Sequence, residues 1–407
     1  VKPLLFAAAI AVLFLIVYLA SPLLNGAGLP FGAEGTQDFI QYWSAWQVLR
    51  DGGNPYDDRL MHAVQLRVGQ AVGTTTMMWN PPWIPVLLSP ILSLSFEKAA
   101  LLWFFCNLAL MLTVIVITPR ALGYTRLPVW LCGLGALFVP FVDCLKWGQL
   151  SLIHTFGFVL FMCAARHERL FHAGLCISLL IGKPHLFTLF LVPGSIWLYQ
   201  LTSYGRKAFI SGVFTGVALL FAVTLYIAPS SFLWWLNALG DSQQEIYLRE
   251  GRVMPVRLWQ TATVANLVRS AIWSSGGGIP DWPLWFFPCL GLALTIGFFC
   301  RRGGPIVWAS VAPGLLCCCF LFANYGWFYD QAVLIVAQFY VICSAYYSQN
   351  RFKKLTLLGA LITVQIAILV ISSCTLSAQH YYVWVPGALL FLVAFSRTAQ
   401  PPAASEK

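Results

Sequence analysis

The sequence predicts an all-α, polytopic membrane protein, and three observations carry that prediction. Of 407 residues, 59% are hydrophobic and 9% are charged, with a mean hydropathy of +0.77. A chain so poor in charge does not have the composition of an ordinary soluble domain. Long apolar runs also return along its whole length, as bilayer-spanning helices require. Finally, many of its 30 Phe and 17 Trp residues stand near the ends of those runs, where aromatic side chains anchor helices at the interface.

The runs lie at 3–20, 99–117, 127–142, 150–165, 171–182, 185–199, 207–228, 282–299, 304–323, 328–346, 355–372 and 378–396, which predicts about twelve transmembrane helices. The first lacks a basic leading region and a small-residue cleavage site, so it is expected to be a retained helix. Several runs fall short of about 20 residues, so their helices must extend, tilt or break. Residues 81–96, PPWIPVLLSPILSLSF, carry prolines at 81, 82, 85 and 90 and predict a broken element.

Short basic connections, RALGYTR (120–126), RHER (166–169), GRK (205–207), RRGG (301–304) and RFKK (351–354), mark the cytoplasmic side under the positive-inside rule. Both termini then face the cytoplasm, in a multi-pass protein of a plasma membrane. The chain is expected to form one membrane domain over 1–396 with a flexible tail at 397–407. External segments are 21–98, 142–149, 182–185 and 229–281, and the conspicuous polar residues collect in them.

Within 39–50, Phe39, Tyr42, Trp43, Trp46 and Leu49 recur at helical spacing. They predict an amphipathic helix lying along the interface. DGGNP ends it, and a second helix is expected over 57–70. SFLWWLNALG, starting at Ser231, suits another interfacial helix, followed by a charged loop over 241–257.

The formal charge of +10 does not indicate nucleic-acid binding, because no basic stripe or soluble basic domain exists to carry it. The 12 Cys residues fall mainly inside apolar runs, without zinc-site pairing, and suit small buried hydrophobes. No Walker loop, nucleophile elbow or zinc-protease motif occurs. Asp57 and Asp58 have no third clustered ligand, so no metal site is predicted, although the pattern leaves a divalent cation open.

Asp38 stands where a helix N-cap belongs, with Gln41 at the capping-box position. The same carboxylate, at the edge of the membrane, could accept a proton from a hydroxyl. In LIGKPHLFTLF (180–190), Lys183 lies between two apolar segments and needs water, the interface or an anionic partner. His185 is an additional donor to such an anion. In VDCLKWGQLSLIHT (142–155), Asp143 and Lys146 suit an ion pair in a turn, Gln149 and Ser151 begin the next helix, and His154 is a weaker candidate. RLWQTATVANLVRSAI (257–272) offers Arg257, Gln260, Thr261 and Arg269; two arginines can clamp a phosphate bidentately, or bind bulk headgroups. ANYGWFYDQAVLI (323–335) brings Asp330 to the end of a span among aromatics that include Trp327 and could stack on a sugar.

DFIQYWSAWQVLRDGGNPYD followed by WNPPWIPVLLSPI resembles the opening signature of the bacterial integral-membrane glycosyltransferases of family 87, within the GT-C superfamily. KWGQLSLI, GKPH, WQTATVANLVR and YGWFYDQAVLI resemble later blocks of that family in the same order, over about residues 36 to 336. The resemblance implies a GT-C-type fold with external interfacial helices, acting at the bacterial inner membrane. It also implies sugar transfer from a polyprenyl-phosphate donor, as in the mannosyltransferases of the family, to a glycolipid or glycan acceptor. The family's catalytic aspartate falls on Asp38, its GQ block on Gly148 and Gln149, its basic block on Lys183, and its polar-plus-arginine block on Gln260, Thr261 and Arg269. Ser151 stands where the family usually has asparagine, and Thr261 where serine is typical.

The implied reaction is inverting, with Asp38 as base and Lys183, His185, Arg257 and Arg269 at the donor phosphate. Tyr42, Gln149, Gln260, Thr261, Trp327 and Asp330 are the expected substrate contacts. A lipid or solute transporter and a noncatalytic lipid-binding assembly subunit are the competing readings.

Overall fold

In the computed structural model, residues 38–69, 75–125, 127–239, 261–275, 280–374 and 382–396 are described. The expected first span, the 241–257 loop, Arg257, Gln260 and the 397–407 tail lie outside them. The regular secondary structure of the described residues is helical, apart from one isolated β-bridge between Thr261 and Trp327.

Helix α1 (Phe39–Arg50) comes first, followed by α2 (Asp58–Leu66). Asp57 starts α2 by accepting hydrogen bonds from the amides of Arg59 and Leu60, 2.9 and 3.2 Å away. That satisfies two of the donors every helix start leaves free. The proline-rich segment breaks as expected into α3 (Trp83–Leu87) and α4 (Ser89–Leu92). Helix α5 (Phe96–Ala121) is a full span, with Glu97 in its first turn and Arg120 in its last, both matched to the helix dipole. Helices α6 (Val129–Ala136) and α7 (Val139–Trp147) meet at a bend of 60°. Pro140, in the first turn of α7, has no amide to continue the preceding helix.

Next come α8 (Ser151–Arg166) and α9 (Leu170–Ser178), then two 3-10 segments, Leu179–Gly182 and Pro184–Phe190, divided at Lys183. Helices α10 (Leu191–Gln200) and α11 (Ser203–Ile227) complete the first half, and residues 231–239 are helical. Gly174 lets α9 approach α11 closely: a Cβ there would lie 2.2 Å from the Phe209 carbonyl. Gly212 and Gly216 do the same from the facing helix, against the Phe171 carbonyl and Ser178 Oγ. Small residues at a membrane helix contact allow backbone-to-backbone packing.

The second half contains α12 (Val264–Ser274), α13 (Pro283–Arg302) and α14 (Trp308–Phe322). A 3-10 turn, Phe328–Leu334, then leads into α15 (Ile335–Tyr347), followed by α16 (Arg351–Cys374) and α17 (Trp384–Ser396). Within the continuous segment Phe328–Tyr347, residues 328–345 are all buried, which places it at the centre of the bundle. Gly135 of α6 packs on Phe339 of this segment, leaving no room for a Cβ.

Five helices among the described residues are long and apolar enough to cross a membrane, or six if the bent α6–α7 pair is one span. Four further apolar helices have 10–17 residues. Among the described residues, the expectation of twelve full-length spans is therefore not confirmed. Breaks at proline and glycine divide several apolar runs into shorter pieces.

The basic connections gather at one end. Arg166 lies against Gly123, Tyr124 stacks on Tyr347, and Leu170 packs on Gly205. Gln200 binds the carbonyl of Gly304 and the amide of Ile306, both at 2.9 Å. Loops separated by more than 200 residues thus share one face, as a common orientation in the bilayer requires.

Candidate functional site

The site lies at the other end of α8 and at the start of the buried central segment. Its construction begins at Gly148, which ends α7 in a left-handed conformation with φ +66°. A Cβ at this position would stand 2.8 Å from that of Phe39, so glycine meets both a backbone and a packing requirement. The Gly148 carbonyl accepts a hydrogen bond from Trp103 Nε1 at 2.7 Å. This fixed turn presents Gln149, which is 2% exposed, to two residues at the beginning of α1. Gln149 Nε2 donates to the Asp38 carboxylate, and Gln149 Oε1 accepts from the Tyr42 hydroxyl at 3.2 Å.

Asp38 consequently does not form the capping box expected of it. Its side chain makes no cap hydrogen bond, its backbone is helical (φ −90°, ψ −25°), and Gln41 Oε1 has no hydrogen-bond partner. Contact with Gln149 turns the carboxylate away from the amides of α1. Helix α1 forms as expected, but protein covers more of it than its aromatic stripe alone. Phe39 and Tyr42 are fully buried, and Gln41, Ser44 and Gln47 on other faces are buried too. Phe39 packs on Phe96 and Trp103, and Trp43 on Phe96, so the aromatic stripe meets protein on several sides.

A second group forms around Lys183. Pro184 interrupts the chain between the two 3-10 segments and leaves Lys183 at the break with φ −141° and ψ 63°. Its ammonium lies 2.6 Å from Asp330 Oδ1, in a pair whose side chains are 11% and 0% exposed. Ser151 Oγ donates to the same oxygen at 2.6 Å, while Asp330 Oδ2 accepts from the Trp327 amide at 3.1 Å. The buried carboxylate is thus held by a charge and two neutral donors, the condition under which a buried ion pair is tolerated. Lys183 Nζ also stands 5.3 Å from the centre of the Tyr329 ring.

The two groups form one electrostatic cluster. Burial pushes the Asp38 carboxyl up to about 6, from an ordinary 3.8. The Gln149 hydrogen bond and the Lys183 charge pull it down, the Asp330 charge pushes it up, and the Tyr329 side chain favours the ionised form. Asp38 is therefore poised to gain or lose a proton near neutral pH.

Aromatic rings extend the cluster. His185 meets Tyr325 at 5.9 Å, Tyr325 meets Trp327 at 5.8 Å, and Trp327 stacks on Tyr329 at 5.8 Å with 8° between planes. Thr261 is bridged to Trp327, and the Ala262 amide donates to the Gly326 carbonyl at 2.9 Å. The structure therefore brings together Asp38, Tyr42, Gln149, Lys183 and Asp330, with His185, Trp327 and Thr261 flanking them. Arg269 is engaged differently. It donates to the Pro280 carbonyl at 2.8 Å, to Asn266 Oδ1 at 3.1 Å and to Asp281 Oδ1 at 3.1 Å.

Tyr329 escaped the sequence reading, although YGWFYD signalled an aromatic cluster around Asp330. Asp57 is occupied in capping α2. Among the described residues, no three His, Cys, Asp or Glu side chains gather as a metal-binding group. His154 packs against Gly182, and its Nδ1 has no hydrogen-bond partner.

Compared with known families, residues 79–324 match the model of glycosyltransferase family 87. No curated protein and no solved structure matches the chain.

Proposed function

This chain belongs to glycosyltransferase family 87, and from that premise we propose that it moves a sugar from a polyprenyl-phosphate donor to a hydroxyl of a glycolipid or glycan acceptor, with inversion, on the external face of a bacterial inner membrane. The acceptor oxygen forms a bond to the anomeric carbon as the bond from that carbon to the phosphate oxygen breaks. The electron pair leaves with the polyprenyl phosphate, and the acceptor proton passes to Asp38.

What carries this reading is the meeting of Asp38 and Lys183 in one cluster: a carboxylate poised near neutral pH and an ammonium whose field reaches it. The first suits a general base, the second a departing phosphate. Gln149 orients the base, and Tyr42 holds Gln149. Trp327 and Thr261 suit the sugar or acceptor, and His185 the phosphate. Arg257 and Gln260 retain the donor-side and substrate roles that the family resemblance implies. Arg269 is assigned here to bracing the 280–281 connection.

The test incubates purified protein with a panel of polyprenyl-phosphate sugars and candidate acceptors, with products identified by mass spectrometry. Coupled appearance of glycosylated acceptor and free polyprenyl phosphate is expected. Asp38→Asn should lower turnover about 10²–10⁴-fold while the protein stays folded and donor-bound. Movement of intact donor across a vesicle membrane, without release of polyprenyl phosphate, would instead mark a transporter.

A further inference from the structure

Between α3, the start of α8 and α11 lies a mostly apolar cleft that the transfer chemistry leaves without a role. Trp83, Ile84 and Leu87 line it from α3, Leu150 and Ile153 from the start of α8, and Leu220 from α11. Trp83 is held by stacking on Phe221 at 5.5 Å and by an edge contact with Trp235 at 5.6 Å. Phe221 in turn stacks on Phe232 at 4.7 Å. Ring contacts of this kind fix a wall beyond what burial alone does, so the cleft is preformed. Leu87 is 46% exposed, and Phe221, beside Leu220, is also exposed. The mouth therefore opens among apolar side chains of a span, where the neighbour is lipid.

Two lining residues are polar, and they differ. Ser178 is satisfied locally, donating to the Leu175 carbonyl at 2.7 Å. His154 is buried, and its Nδ1 has no partner. A buried polar atom left in that state calls for an explanation, and a ligand is one.

The cleft reaches the polar cluster on its phosphate side. A Cβ at Gly182 would stand 2.6 Å from His154 Nε2 and 3.5 Å from Ile84 Cδ1. The lining thus closes on the residue immediately before Lys183. Leu150 lies between Gln149 and Ser151, the second of which binds the partner of Lys183. Depth agrees with this placement. Ile153 and His154 follow Ser151 in α8, about 3–5 Å further along the helix and away from its external end. Leu220 is seven residues short of Ile227, the external end of α11, or about 10 Å. The cleft is therefore on the bilayer side of the charged pair, where an amphiphile whose phosphate meets Lys183 must put its chain.

We propose that this cleft seats the first isoprene units of the polyprenyl-phosphate donor, with His154 as the polar group at the junction of chain and phosphate. The inference rests on the transfer reading above and adds to it a place for the chain.

The experiment irradiates the purified full-length protein with a polyprenyl phosphate that carries a diazirine on its first isoprene unit, and maps the label by mass spectrometry. Label is expected on residues 83–88 or 150–154, displaced by unlabelled polyprenyl phosphate but not by phosphatidylglycerol. Label elsewhere in an active enzyme, or equal displacement by phosphatidylglycerol, overturns the cleft and leaves the transfer reading standing. Label in the cleft of a protein that transfers no sugar overturns the transfer reading and keeps the lipid site.

Two variants separate the parts. Leu220→Trp, which fills the cleft, should raise the donor KM about tenfold with kcat and the acceptor KM unchanged. A rise in the acceptor KM instead gives the cleft to the acceptor's chain and overturns the proposal. Should L220W fail to fold, Leu87→Trp at its more exposed position takes its place. His154→Ala should weaken binding of polyprenyl phosphate about tenfold, the worth of one hydrogen bond to a charged group, and leave binding of the uncharged polyprenol nearly unchanged. Equal weakening of both overturns the polar role of His154.

Discussion

Two ion pairs, each containing a basic residue that the sequence offered for phosphate binding, have opposite designs. Lys183 and Asp330 are both withdrawn from solvent, and Asp330 is held by two further donors. Arg269 is also buried, at 2%, but Asp281 is 80% exposed, and the guanidinium also donates to Asn266 and the Pro280 carbonyl. The first pair joins segments 147 residues apart and shares a field with Asp38. The second joins residues 12 apart and ties the middle of α12 to the connection before α13. A basic residue near a membrane site is therefore informative chiefly through what already holds it.

The widest separation between the two regions should come from Lys183→Ala. It strands the buried Asp330 carboxylate, a change typically costing about 3–5 kcal/mol, and removes the proposed phosphate ligand. Thermal unfolding and transfer assays should both register a severe loss. Equal loss from Arg269→Lys would erase the contrast; instead, R269K should lower stability by about 1–3 kcal/mol through broken buried hydrogen bonds, with transfer by the remaining folded protein largely retained.

Gln149→Ala sharpens the comparison on the Asp38 side. It leaves the Tyr42 hydroxyl without its acceptor and removes a donor that lowers the Asp38 proton affinity. The acid limb of the transfer profile should therefore move to higher pH, and unfolding should become easier by about 1–3 kcal/mol. In the wild type, a base poised at about 6 implies that transfer declines as pH falls through that value, because protonated Asp38 cannot accept a proton. A flat profile from pH 5 to 8 would remove Asp38 from the role of base. The smallest effect belongs to Asp281→Ala: an exposed carboxylate contributes about 0–1 kcal/mol, and transfer should be unchanged.

Much of the site was legible because its members are polar residues in apolar surroundings. Asp38, Gln149, Lys183 and Asp330 all stand out on that ground. Their pairing was not legible, since Lys183 and Asp330 meet only after the chain has packed. Sequence placed Asp330 among aromatics without indicating that Lys183 and Ser151 would claim it. The surroundings of α1 were illegible for a related reason. Periodicity reports a helix with an aromatic face, but it cannot distinguish lipid from protein as the neighbour of that face. Here protein also covers Gln41, Ser44 and Gln47. Asp38 sits at a helix start, where capping is common, yet Gln149 competes for its carboxylate from another element. The count of spans is not confirmed, because Pro140 and Pro184 accompany breaks inside apolar runs that hydropathy alone does not resolve.

Helix α8 has one more consequence. Ser151 meets the Lys183–Asp330 pair at its first residue, and Arg166 belongs to the basic end at its last. At 1.5 Å per residue those ends are about 22 Å apart, against a hydrocarbon layer of about 30 Å. Tilt only shortens the projection. With Arg166 at one boundary, the charged pair stands several ångströms beneath the other. A lipid-linked anion would then meet Lys183 by sinking slightly, and a water-borne hydroxyl would have to descend into a hollow of the membrane surface.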